Sequence, residues 1–463
     1  MIRLTAEVEQ SLRAMLEGGD PVEIAERIRQ LPADRVAELI AALHPADSAD
    51  VFEELSAKQQ RAILAEMESD DAADVLSYID YDEQADIVAT LSADQLADIL
   101  DEMDPDDAAY LLSELPEAQA SAAIAEMEEP SEVQALLSYD EESAGRLMTP
   151  HVFSVRQNAS VEQTLATLRQ LTPDEEVSYY LFVTDEENRL AGVISLRQLV
   201  TAPLGTLVAQ IMNPEVISVP ADSDQEQAAN TLARYGLLLL PTVDETGRLV
   251  GVITADDVID VIQEEATEDI YRLAGMDAEE SVDRSVLTTS RQRLTWLMVN
   301  LPTAVLASWV VSLFEGTIAR VAVLAVFMPI IAGMGGNAGI QTLTLIVRSM
   351  ALGELELRDG WRTLGREILV GLVNGVCFGV VVGLLGLFWQ GLPILGLVAG
   401  LAMLANMLAA AIAGTLVPLA LRRIGADPAL ASGVVVTTFT DLTGYLCFLG
   451  LATLLIRFFP VTG

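Results

Sequence analysis

Asp441 lies inside an apolar run, Ser432-Gly433-Val434-Val435-Val436-Thr437-Thr438-Phe439-Thr440-Asp441-Leu442-Thr443-Gly444, with no basic residue in the run to neutralise it. A charged side chain at the centre of a membrane helix costs about 2.5–3.5 kcal/mol on insertion scales, so an acid placed there points to an ion pathway. The competing reading is a protonated, structural Asp. Thr437, Thr438, Thr440 and Thr443 add hydroxyls to the same run. A second group of acids fills Asp256 to Asp269. On a helix, Asp257, Asp260, Glu264 and Glu268 share one face, with Glu265 and Asp269 beside it. Like charges at that spacing repel by about 0.2–0.5 kcal/mol per pair. The face is either a solvated surface or a divalent-cation site, because hard cations take oxygen ligands and turn the repulsion into a cross-link. Acids also gather as Asp70, Asp71, Asp74 and as Asp104, Asp106, Asp107. Helix capping and dipole compensation account for such clusters without a metal.

The elements that must position these acids differ along the chain. The 463 residues carry a net charge of −42 yet a mean hydropathy of +0.39. Residues 1–290 hold 61 acids and 16 bases, while residues 291–463 hold 7 acids and 10 bases. An acidic, water-soluble front is therefore joined to an apolar back. Five apolar runs, at about 294–314, 321–347, 368–390, 394–421 and 432–456, are long enough to cross the ~30 Å hydrocarbon core. Arg291, Arg293, Arg348, Arg358, Arg362, Arg366, Arg422 and Arg423 fall on one side, and Arg320 and Arg457 on the other. The basic side is expected to be cytoplasmic. Residues 1–30 lack the apolar core of a signal peptide, so the front is expected to start and stay in the cytoplasm. Gly371, Gly375, Gly379 and Gly383 give the third run a small face for close packing. Met328 to Gln341, with one Pro and many Gly and Ala, reads as a broken or a tightly packed helix.

The same composition excludes several classes. An acidic front lacks the basic footprint of a nucleic-acid binder. Cys377 and Cys447 lie in apolar runs and the only histidines are His44 and His151, so neither a disulfide framework nor a thiolate or histidine metal centre is expected. No nucleophile–base arrangement or phosphate-cradling loop is present, so an enzyme is not expected. Lys58 is the only lysine, and part of the acidity reads as adaptation to salt.

Two repeats organise the front. An apolar residue opens each unit at Leu31, Leu43, Leu55, Met67, Ile79, Leu91, Met103, Leu115 and Met127, a period that predicts a solenoid of short helices. Then Leu147-Met148-Thr149-Pro150 recurs as Ile211-Met212-Asn213-Pro214, and Leu190-Ala191-Gly192-Val193-Ile194-Ser195 as Leu249-Val250-Gly251-Val252-Ile253-Thr254. Each copy reads as a hairpin followed by a helix. The pair resembles tandem CBS domains. That resemblance implies a cleft for an adenine nucleotide such as ATP, with Thr254 and Asp257 at the ribose in the second copy. The first copy has Ser195 but Gln198.

The order of parts, together with Gly335-Gly336-Asn337-x-Gly339-x-Gln341 and Thr437-Thr438-Phe439-Thr440-Asp441, resembles the MgtE family of magnesium channels over essentially the whole chain. The resemblance implies a multidomain fold: an all-α helical solenoid (1–145), an α/β tandem CBS pair (146–265), a connecting helix (266–292) and an α-helical membrane domain of five spans (293–463). It implies a multi-pass homodimer in the bacterial inner membrane, with Mg²⁺ conducted past paired copies of Asp441. Backbone carbonyls of Gly433 and Thr437 would assist, and Asp427 would lie at the cytoplasmic mouth. Cytosolic Mg²⁺ would close the pore at Asp74, Asp106, Glu226, Asp257, Asp260, Glu265, Glu268 and Asp269. The sequence departs from the family pattern at Val434, where Pro is usual, and at Gly236, where an acid can occur. Two alternatives are a transporter of Mn²⁺ or Co²⁺ and a membrane-anchored nucleotide sensor without transport.

Overall fold

The computed structural model describes residues 21–455 apart from 30, 80, 90, 171–178, 277–285, 356 and 431. Most of residues 1–30 and Arg457 lie outside that set. The chain forms two compact units, Met1–Val261 and Ile262–Gly463.

The first unit opens with short helices: α1 (Pro21–Ile28), α2 (Ala33–Ile40), α3 (Pro45–Glu53), α4 (Ala57–Leu64), α5 (Ser69–Leu76), α6 (Tyr81–Val88), α7 (Ala93–Leu100), α8 (Pro105–Glu114), α9 (Glu117–Glu126) and α10 (Ser131–Leu136). Pro45 and Pro105 sit in the first turns of α3 and α8, where their missing N–H costs nothing. Ser56 with Gln59 and Ser92 with Gln95 form capping boxes on α4 and α7. Each helix is too short to stand alone in water. Its apolar stripe, such as Leu96, Ala97, Ile99 and Leu100 of α7, is fully buried because α7 packs on α5 and α9. From α1 to α10 every helix packs against the next but one, so odd and even helices form two rows.

After α11 (Ala144–Leu147) come two copies of one small α/β fold. The first holds β1 (Ser154–Arg156), α12 (Val161–Leu168), β2 (Tyr180–Thr184), β3 (Leu190–Ser195) and α13 (Leu196–Thr201). The second holds β4 (Val219–Pro220), α14 (Gln225–Tyr235), β5 (Leu239–Val243), β6 (Leu249–Thr254) and α15 (Ala255–Ala274). Each sheet has a parallel first pair and an antiparallel hairpin, with equivalent registers in the two copies. The recurring Met-x-x-Pro-type segments cross between copies. Thr149 exchanges backbone hydrogen bonds of 2.8 and 3.0 Å with Val252 of the second copy, and Asn213 exchanges bonds of 2.8 and 2.9 Å with Val193 of the first. Met148 and Met212 pack over Gly251 and Gly192 at these crossings. The left-handed Gly236 (φ 61°) ends α14, a conformation that disfavours an acid there.

The second unit contains the end of α15, then α16 (Val286–Ser312), α17 (Glu315–Arg320), α18 (Leu324–Ala351), α19 (Gly360–Gln390), α20 (Pro393–Arg423) and α21 (Ser432–Leu455). Five of these helices are long and apolar enough to cross a bilayer. The expected runs are matched to within several residues, but α19 starts well before residue 368. The expected connecting helix over 266–292 is different in extent: α15 stops at Ala274, followed by left-handed Gly275 (φ 72°), and residues from 286 belong to α16. Residues 277–285 lie outside the described set. α20 is the central helix, packed on α18, α19 and α21. The glycine face of α19 meets it directly: a Cβ at Gly379 would stand 2.8 Å from the Gly400 carbonyl oxygen, and one at Gly383 3.1 Å from that of Gly396. α18 is unbroken despite Pro329, and its small residues are contact points. Gly339 faces Val436 and Gly335 faces Asn406.

The crossings between the CBS copies give an asymmetric expectation. A Cβ at either glycine would meet the methionine sulfur that packs over it, but the rigid backbone oxygen beside it is nearer at Gly251 (Thr149, 2.7 Å) than at Gly192 (Asn213, 3.0 Å). Overpacking costs typically about 1–3 kcal/mol. Gly251→Ala should therefore lower the denaturation midpoint more than Gly192→Ala in parallel melts of the full chain.

Candidate ion pathway and cytosolic metal sites

α21 carries Asp441 half-buried, and among the described residues no basic side chain pairs with it. The helix runs unbroken from Ser432, consistent with Val434 in place of a helix-breaking Pro. The Thr437 hydroxyl donates to the Gly433 carbonyl at 2.9 Å, and that of Thr440 to the Thr437 carbonyl at 2.9 Å. The two expected carbonyl ligands are thus already accepting bonds from threonines of their own helix. On α18, Gly333, Asn337, Gln341 and Thr344 form an exposed stripe at helical spacing. Polar groups along a membrane helix fit a water-filled path better than lipid.

Asn406 fixes α18 and α21 together. It is fully buried on α20, donates from Nδ2 to the Ile331 carbonyl at 2.8 Å, and lies against Gly335 and Gly444. In the sequence a single Asn in an apolar run carries no pattern that would mark it. Glu367 was also missed. It is 5 % exposed on α19, one position before the apolar run was judged to begin.

At the Arg-rich end of the bundle, the end of α15 abuts the start of α21, with the Leu273 carbonyl facing Gly433. Arg272 of α15 donates to Asp427 at 2.5 Å and pairs with Glu268 one turn earlier. Asp427 also accepts from the Ala429 amide at 2.8 Å. Burial, then the nearby Asp427 charge, pushes Asp269 up to about 6, partly offset by Arg272 and Arg348. The structure therefore brings Glu268, Asp269 and Asp427 together around one arginine.

A second group forms in the first unit. Asp106 and Asp107 stand in the first turn of α8, and Asp257 in the first turn of α15. Burial raises Asp106 well above the usual carboxylate range, with Asp257 next in effect, and its Oδ1 is enclosed without a hydrogen-bond partner. Burial pushes Asp107 up to about 6 against a hydrogen bond from Ser77. Burial also lifts Asp257 to about 6, opposed by its 2.5 Å bond from the Thr254 hydroxyl. Thr254 and Asp257, the expected ribose pair, are bonded to each other. In the first copy Ser195 and Gln198 likewise bond to each other at 2.7 Å. Asp107 had been read only as part of a capping cluster. Asp74 is exposed on α5, Glu226 lies in the first turn of α14, and Asp260 and Glu265 follow Asp257 along α15. Among the described residues no three His, Cys, Asp or Glu side chains converge into a cage. Mg²⁺ does not require one, since it keeps several waters and takes one or two carboxylates.

Five helices long and apolar enough to cross a bilayer follow the acidic first unit in the chain, the arrangement of a multi-pass membrane protein. Residues 328–451 match the MgtE divalent cation transporter family, residues 43–142 the MgtE intracellular N domain, and residues 144–205 and 208–264 the CBS domain. The chain is 42% identical to the magnesium transporter MgtE of Thermus thermophilus over 71% of its own length and 73% of that protein. It is 38% identical to the MgtE of Enterococcus faecalis over 72% and 73%. A crystal structure of the soluble part of a magnesium transporter, 33% identical, aligns over 56% of this chain and 99% of that one at a TM-score of 0.48. The chain belongs to the MgtE family of magnesium transporters.

The raised acids fix a pH dependence. An Asp whose folded pKa exceeds its unfolded one binds more protons when folded, so stability falls as pH rises through the interval between the two. For Asp107 and Asp257 that interval runs from the ordinary 3.8 to about 6. With chelator present, the melting midpoint of the first unit's transition in the full chain should fall across this window, and Asp106, raised well above the usual carboxylate range, adds to the fall in the same direction. Asp107→Asn with Asp257→Asn should make the curve less steep.

Proposed function

We propose that the chain is a Mg²⁺ channel of the cytoplasmic membrane that works as a homodimer and closes when cytosolic Mg²⁺ binds its acidic clusters. The observation that carries the pathway is Asp441: a half-buried carboxylate on a membrane helix with no base beside it among the described residues. Two copies facing each other would hold one hydrated ion by its waters, which suits an ion that dehydrates reluctantly. The exposed Asn337, Gln341 and Thr344 of α18 would continue the polar wall.

Closure follows from linkage. A cation that binds the compact arrangement better than the open one shifts the population by that difference in affinity and no more. Asp106, Asp107 and Asp257 repel one another until a cation or protons neutralise them. The end of α15, held at Asp427 through Arg272, is the element that would carry the state of these acids to α21. Thr254 and Asp257 are the residues that would take a nucleotide ribose, giving up the bond they share.

Asp441→Ala should abolish Mg²⁺ uptake by reconstituted vesicles, and undiminished uptake would sink the pathway assignment. Neutralising Asp257, Asp260, Glu265 and Glu268 together should leave uptake running at high Mg²⁺ on the side of the acidic domains. Shut-off at an unchanged concentration would place the sensor elsewhere.

A further inference from the structure

The geometry points to a second cation-binding position in the membrane domain, centred on Glu367 of α19 and separate from Asp441. A cavity of about 250 Å³ lies where α18, α19 and α20 meet. Its polar lining is the Glu367 carboxylate, Thr342, Gln341 and Asn374, with Arg366 exposed at the rim. Thr342 makes a long hydrogen bond of 3.4 Å to Glu367 Oε2. Arg366 lines the same cavity without forming an ion pair with the carboxylate. An acid only 5 % exposed and left with one weak partner is costly unless something cationic joins it.

The donor set selects the ligand. One carboxylate, one hydroxyl and two amide oxygens are all hard donors, suited to a small cation that keeps part of its water. Size agrees: at ~30 Å³ per water, an ion with six waters needs roughly 200 Å³. The cavity also opens beside the polar stripe, because Gln341 belongs to both.

Depth along the bundle places this position relative to Asp441. Gly339 faces Val436 and Thr440, while Asn406 touches both Gly335 and Gly444, so Asp441 stands level with about residue 338 of α18. Thr342 is one turn further toward the Arg-rich end. At 1.5 Å per residue Thr342, which bonds Glu367, stands roughly 6–8 Å along the axis from the level of Asp441. Glu367 thus lies on the Arg-rich side of Asp441, beside the stripe that Gln341 shares with the cavity. Conduction needs sites weak and numerous enough for one ion to displace the next. This role as a second station rests on the pathway reading above; the cavity does not.

The test uses the full-length protein with Cys377→Ala and Cys447→Ala, carrying Leu345→Cys as a reporter on the cavity's exposed rim. Mg²⁺ should slow modification of that cysteine by a cationic methanethiosulfonate reagent, and Glu367→Gln should remove the protection while Glu367→Asp keeps it. A modification rate indifferent to Mg²⁺ would overturn the site, as would protection that survives Glu367→Gln. In vesicles, Glu367→Gln should raise the Mg²⁺ concentration for half-maximal uptake roughly tenfold, about 1.4 kcal/mol, with the maximal rate retained. If Asp441→Ala transports normally while Leu345→Cys is still protected, the pathway reading falls and the site stands. If Asp441→Ala abolishes uptake but protection is absent, the site falls and the pathway stands.

Discussion

The membrane domain is arranged around carboxylates that its own side chains do not neutralise. Asp441 has no basic partner among the described residues, and Glu367 has only a long hydrogen bond from Thr342. Removing one partner of a buried charge pair is costly because the remaining charge is left unpaired in a poor solvent. In the proposed pathway the missing partner would be the transported ion. The glycine contacts between α19 and α20, the Asn406 clamp and the threonines bonded back along α21 all reduce the freedom of the helices bearing those charges.

The same physics operates outside the membrane with a different balance. Asp106, Asp107 and Asp257 are forced together at two helix N-termini, where helix dipoles favour negative charge but burial opposes it. Around Arg272 the chain supplies its own cation, joining Glu268 and Asp427. One acidic group is therefore left without a cation of the chain's own, and the other is already partly satisfied. A sensor needs the first kind of cluster, and a latch that positions α15 against α21 needs the second.

Much of this was legible in the residues. The twelve-residue period predicted the solenoid helices, the paired Gly-Val-Ile runs predicted the two hairpins, and hydropathy located the spans. What escaped was set by contacts distant in sequence. No local signal says that α7 packs on α5 and α9, or that Met148 and Met212 cross to the opposite CBS copy. Glu367 was lost because hydropathy marks where apolar residues begin, not where a helix begins, and α19 starts at Gly360. Of the connecting helix expected over 266–292, the described residues show the end of α15, stopped by Gly275, and the start of α16, while 277–285 lie outside the described set. Asp441 was legible because an acid inside an apolar span contradicts its surroundings. Asp107 was not, because an acid at a helix start contradicts nothing.

The glycine contacts between α19 and α20 also constrain motion. With the carbonyls of Gly400 and Gly396 facing Gly379 and Gly383, there are no side chains between the two backbones to change rotamer and let them slide. At this level the two helices are expected to move together. Any widening between open and closed states must then be taken up at other seams of the bundle. One such seam lies between α18 and this pair, where the Glu367 cavity sits. A change in the shape of the path would thus be registered as a change in the grip on an ion there, making the cavity a gauge of the conformation around it.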